Sequence, residues 1–142
     1  MSDIIQLLEE MRASSGDAVT IGLPNNVILD FAKRDSNIVM AIEEGHSKQS
    51  EFNSEHLMMH ETDLISHLQE DFVNFYSPAT VNPYVAISAR GPWVVTSHGA
   101  VLHDNGGYGM LGGGHGPSEI IDVMSVNHVM ANVMSASFSQ AR

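Results

Sequence analysis

Apolar residues in the first half of the chain recur at helical spacing. Ile4, Leu7, Leu8 and Met11 follow Ser2 and Asp3, either of which suits the cap of a first turn. Ser14-Ser15-Gly16 predicts the end of that helix. Pro24-Asn25-Asn26 introduces a second helix carrying Val27, Ile28 and Phe31. Ser36 is expected to cap a short continuation through Ile38, Val39 and Ile42, closed by Gly45 as a left-handed C-terminal residue. A longer helix is expected from a cap at Ser54. Its stripe is Leu57, Leu64, Ile65, Leu68, Phe72 and Phe75, and Ser77-Pro78 ends it.

The period changes after Pro78. Tyr84-Val85-Ala86-Ile87 and Trp93-Val94-Val95-Thr96 are short β-rich runs, separated by Arg90-Gly91-Pro92. Ser97-His98-Gly99 turns the second run into Ala100-Val101-Leu102-His103, so residues 93–103 predict a β-hairpin. A glycine-rich loop follows, with seven of the twelve glycines between Gly106 and Gly116. Pro117-Ser118-Glu119 opens a further helix through Ile120, Ile121 and Met124. The expected fold class is α+β: N-terminal helices, then a small antiparallel sheet, a Gly-rich loop and one more helix. The composition shift at Pro78 divides the chain into an acidic helical region, 1–77, and a charge-poor β/Gly region, 78–142.

Charge narrows the partners. Seventeen Asp and Glu against six Lys and Arg give a net charge of −11, which repels nucleic-acid phosphates and anionic lipid. No cysteine is present, so disulfides, thiolate metal sites and a cysteine nucleophile are excluded. Charged residues make up 16% of the chain, below the roughly 25% usual for soluble domains, which suggests surface meant to be covered. Met1-Ser2-Asp3, followed by Glu9 and Glu10, lacks the basic and apolar regions of a signal peptide. No apolar run is long enough to span a bilayer. A cytoplasmic location is the expectation.

Three constellations bear on chemistry. Gly107-Tyr108-Gly109-Met110-Leu111-Gly112 spells G-x-G-x-x-G after a strand, yet the next helix opens about five residues late. No helix N-terminus then faces a pyrophosphate, and no Lys-Ser or Lys-Thr follows to make a P-loop. These glycines suit close approach by a ligand or by another backbone. His56, His60 and His67 fall within about 40° on an ideal helix, and His56 and His60 stand one turn apart, a zinc-chelating spacing. They define the alternative of a small stand-alone binding module that holds a metal. A third reading makes the long helix a partner-binding element anchored by Leu57, Leu64, Leu68 and Phe72. A G-x-S-x-G elbow is absent, so serine hydrolysis has no support.

Residues 82–125 resemble the N-terminal segment of class III pyridoxal-phosphate-dependent aminotransferases. The residues that carry the likeness are Pro83-Tyr84-Val85, Gly91-Pro92-Trp93-Val94-Val95, His98-Gly99, Val101-Leu102-His103-Asp104, Gly106-Gly107-Tyr108-Gly109, and Leu111-Gly112 through His115 and Pro117. The family commonly has Asp where this chain has His98, and two histidines where it has His115 alone. The resemblance implies the N-terminal portion of a fold-type I transferase that moves amino groups between an amine or amino acid and a 2-oxo acid. It implies pyridoxal 5′-phosphate in the full-length enzyme, a homodimer, and packing against the remainder of the chain, while the net charge of −11 and the lack of a spanning run predict no nucleic-acid or membrane partner. It implies that Gly107, Tyr108, Gly109 and Met110 contact substrate. The family's Schiff-base lysine and phosphate-binding loop lie downstream of Arg142, and only Lys33 and Lys48 occur here. No catalytic, cofactor-binding or metal residue is therefore assigned, and this chain alone is expected to be inactive.

Overall fold

Six helices and one three-stranded antiparallel sheet make up an α+β fold among the residues that the computed structural model describes, 2–70, 80, 82–105 and 113–125. Helix α1 (Ser2–Ala13) buries Ile4, Leu8 and Met11, one face at three- and four-residue spacing. It stops where the Ser14 hydroxyl donates to the Glu10 carbonyl, 2.6 Å away. Helix α2 (Asn25–Ala32) follows Pro24 and buries Ile28. Helix α3 (Ser36–Gln49) is capped by Asp35, whose Oδ1 accepts from the Asn37 amide at 2.9 Å. The cap thus lies one residue before the expected Ser36, and an aspartate satisfies the orphan amide equally well.

Gly45 does not end α3. It is buried inside the helix, and a Cβ there would stand 3.0 Å from both Ser88 Oγ and Val95 Cγ1. The missing side chain lets α3 lie close upon the sheet. Ile38, Ala41, Ile42, Gly45 and Gln49 line the buried face, and Ser88 Oγ donates to the Ala41 carbonyl.

The sheet is a meander in the order β1 (Ala86–Arg90), β2 (Trp93–Thr96), β3 (Val101–His103). Arg90 pairs with Trp93 across the two-residue turn Gly91-Pro92. Gly91 has φ of 53°, as the first central residue of a II′ hairpin turn requires, and the fixed φ of proline suits the second. Ser97-His98-Gly99 connects β2 to β3, with the Thr96 amide donating to the Ala100 carbonyl at 2.9 Å. The expected 93–103 hairpin is therefore present.

One core joins the two sides of Pro78: Ile4, Leu8, Met11, Ile28, Ile38, Ala41 and Ile42 pack with Trp93, Val95 and Val101. Trp93 is its largest member. Its ring lies 4.9 Å from Phe31 and 4.8 Å from His103, and its indole N–H donates to Asp35 Oδ2 at 2.7 Å. The cap of α3 and the first residue of β2 are thereby locked together.

The long helix expected over residues 54–75 is broken. Helix α4 (Ser54–Leu57) is capped by Asn53, not Ser54, and helix α5 (Glu61–Gln69) restarts after His60. Residues 71–75 lie outside the described residues. Tertiary partners take the hydrogen bonds a continuous helix would need. The Leu57 carbonyl accepts from the Gly16 amide at 3.0 Å, and the Glu61 amide donates to the Asp17 carbonyl at 2.9 Å. The Met59 carbonyl accepts from Nε2 of buried His98 at 3.1 Å. Helix α6 (Ser118–Met124) follows Pro117 as expected and buries none of its residues. Among the described residues no helix is long and apolar enough to cross a membrane.

Candidate functional site

The site is built where β3 ends and the glycine-rich stretch begins. His103 and Asp104 leave the sheet there, and the chain returns to the same place at Gly114-His115-Gly116. The Gly91 amide donates to the His115 carbonyl at 2.9 Å, and the His115 amide donates to the Gly91 carbonyl at 2.7 Å. The Asp104 amide donates to the Pro92 carbonyl at 2.7 Å. Across the gap, His115 Nε2 lies 2.9 Å from Asp104 Oδ2, with side chains 29% and 21% exposed. A ring nitrogen facing a carboxylate carries the proton and donates, so Asp104 fixes the orientation of the imidazole.

Charge around this site is arranged by α3. Arg90 grips Glu44 with two donors, Nε to Oε2 at 3.0 Å and Nη2 to Oε1 at 2.5 Å, and reaches the Gly116 carbonyl with Nη1 at 3.0 Å. Those bonds hold the Glu44 carboxyl below the usual glutamate range and raise Arg90 above its ordinary value. On the other side of the sheet's first turn, burial pushes Asp35 up. Its hydrogen bonds from Trp93 and Asn37, with the nearby charge of His103, outweigh that and leave it below the usual range.

The substrate residues expected from the resemblance, Gly107, Tyr108, Gly109 and Met110, lie outside the described residues. The flanks of that stretch are described, and the pairing of Asp104 with His115 across it is a feature that spacing alone does not reveal. An acidic residue just before a glycine run and a histidine just after it is the only sequence signal, and it becomes informative once the ends are known to meet. The family's aspartate position, His98 here, is no part of a surface site. His98 is buried, its Nδ1 lies 3.0 Å from Ser97 Oγ, and its Nε2 serves the Met59 carbonyl.

The three histidines do not form the helical arc that their spacing predicts, because the helix breaks between His56 and His60. His60 caps α5, its Nδ1 accepting from the Thr62 amide at 3.3 Å. His56 and His67 do meet, ring to ring at 4.4 Å, and His67 Nδ1 is 3.7 Å from Glu70. Among the described residues no group of three or more His, Asp or Glu is arranged to hold a metal ion.

Pyridoxal phosphate asks for an amine and an anion cradle in one cavity. Lys33 is 59% exposed and paired with Asp30 at 3.7 Å, and Lys48 is exposed on α3. The described residues therefore do not fit the cofactor. No protein-family model, no curated protein and no solved structure matches this chain.

Proposed function

We propose that this chain is the substrate-side N-terminal segment of a class III pyridoxal-phosphate-dependent aminotransferase, a fold-type I transferase. The reaction is amino-group transfer between an amine or amino acid and a 2-oxo acid. The cofactor and its lysine are supplied by the remainder of the polypeptide, in a cytoplasmic homodimer. Gly107, Tyr108, Gly109 and Met110 are the substrate contacts in this reading.

The observation that carries it is the order of the described elements. An antiparallel meander turns at Gly91-Pro92 and at His98-Gly99, its third strand runs out into Asp104, and a helix follows Pro117. Those are the element order and turn positions that the resemblance implies for residues 82–125. A second observation supports it. Ile120, Ile121, Val123 and Met124 of α6 are all exposed, at 49%, 47%, 64% and 51%. Four apolar side chains on a seven-residue helix form the kind of surface that further protein covers.

The test uses the complete polypeptide read from the source DNA. It is expected to continue past Arg142 into a lysine-bearing cofactor domain, to take up pyridoxal phosphate, and to exchange amino groups with a 2-oxo acid. Tyr108→Ala is expected to raise KM for the amino donor severalfold while leaving the bound-cofactor absorbance unchanged. A complete product that neither takes up the cofactor nor exchanges amino groups overturns the reading.

A further inference from the structure

We propose that Asp104 and His115 form a clasp that fixes the two ends of the glycine-rich connection upon the β1–β2 turn. The connection spans ten residues, 105–114, and its ends are joined by both backbone and side chains. The groups that hold them, Asp104 and His115, flank the connection on either side.

Three contacts make the clasp, and each has a separate physical cause. The first is backbone on backbone: Gly91 and His115 exchange both of their amide–carbonyl hydrogen bonds, at 2.9 and 2.7 Å. Gly114 makes that approach possible. It has φ of 67°, and a Cβ there would stand 2.9 Å from Gly91 Cα and 3.0 Å from the Gly91 carbonyl carbon and oxygen. The third glycine of the Gly112-Gly113-Gly114 run is thus required by another backbone. The second contact is the Asp104–His115 pair, 2.9 Å across the gap, with Asp104 itself anchored through its amide to the Pro92 carbonyl. The third is Arg90, which donates to the Gly116 carbonyl while Glu44 of α3 holds its other donors. The separation of the two ends is therefore set by the sheet's first turn and by α3. Asp104 and His115 act as positioning residues. The clasp rests on these contacts alone and would hold whatever reaction the complete polypeptide performs.

The experiment is amide hydrogen exchange on this chain, reading the Gly91 amide, with the Thr96 and Ser97 amides of the β2–β3 turn as controls. Asp104→Ala and His115→Ala are each expected to speed exchange at Gly91 by about tenfold and to leave the controls unchanged. The double variant is expected to fall well short of the product of the two single effects, because the two side chains share one contact. Asp104→Asn keeps an acceptor for the imidazole N–H and is expected to recover most of the protection. Gly114→Ala attacks the backbone contact directly and is expected to expose the Gly91 amide as much as either side-chain removal. The clasp is refuted if the single effects multiply in the double variant, if Asp104→Asn behaves as Asp104→Ala does, or if Gly91 protection survives all of them. Controls that rise in step with Gly91 also refute it, since the pair would then merely contribute to global stability.

Discussion

Glu61 offers the sharpest test of how this chain is held together. It is the first residue of α5 and is 1% exposed, yet its partners lie more than forty positions earlier. Its Oε2 accepts from the Val19 amide at 2.7 Å and the Thr20 amide at 2.6 Å, while Oε1 is buried with no hydrogen-bond partner among the described residues. One carboxyl oxygen thus holds the extended segment after α1 against the start of α5. Each hydrogen bond to such a group contributes about 1.5–3 kcal/mol net, and a stranded buried donor costs about 1–3 kcal/mol. Val19 is exposed and Thr20 half-buried, so water reaches their amides once the segment loosens. With that relief, Glu61→Ala sits near the lower end of the about 3–6 kcal/mol that two such bonds sum to, at about 3–4 kcal/mol of lost stability. Glu61→Gln keeps one accepting oxygen but sets an amide group where Oε1 has no partner, and is expected to lose about 1–2 kcal/mol. The assay is urea unfolding followed by fluorescence of Trp93, the only tryptophan in the chain. A shifted midpoint at constant slope is the expected form. An alanine variant within about 0.5 kcal/mol of the parent, as for an ordinary surface change, refutes the assigned role. A glutamine variant more stable than the parent also refutes it, because burying the charge would then cost more than its two bonds return.

Two further outcomes follow from other buried polar contacts. Gln49 is 5% exposed and donates from Nε2 to the Met11 carbonyl at 2.9 Å and the Ser97 carbonyl at 2.7 Å. Gln49→Ala strands both carbonyls and is expected to cost about 2–4 kcal/mol by the same urea assay. Asp35 sits below its ordinary range in the folded chain, so its stabilisation is complete above the unfolded value, about 3.9, and fades as pH falls through the lower folded value. The stability difference between the parent and Asp35→Asn should be steady near neutrality and shrink below about pH 4. A difference that stays flat into that acid range contradicts the role given to the Trp93 and Asn37 hydrogen bonds.

Local patterns made most elements legible. The stripe Ile4, Leu7, Leu8, Met11 forms α1, the β-branched run after Pro92 forms β2, and Pro117 opens α6, because each depends on residues within a turn or two of one another. The misses share one cause. Gly45 reads as a terminator because glycine tolerates positive φ, but Ser88 and Val95 press against it and the helix continues past it. The 54–75 stripe reads as one helix because nothing nearby forbids it, but Gly16, Asp17 and His98 take the hydrogen bonds that would make it continuous.

The histidine arc disappeared with that helix, and the Asp104–His115 pair appeared only when β3 and the β1–β2 turn brought both residues to one place. What the sequence alone determined is the local part: which segments coil, which pleat, and where glycine and proline turn the chain. Which of those segments stay unbroken, which glycines serve a neighbour's backbone, and which acid meets which base were decided by tertiary structure. Those outcomes depend on buried groups finding partners across long stretches of chain, and no periodicity within one segment encodes such partners.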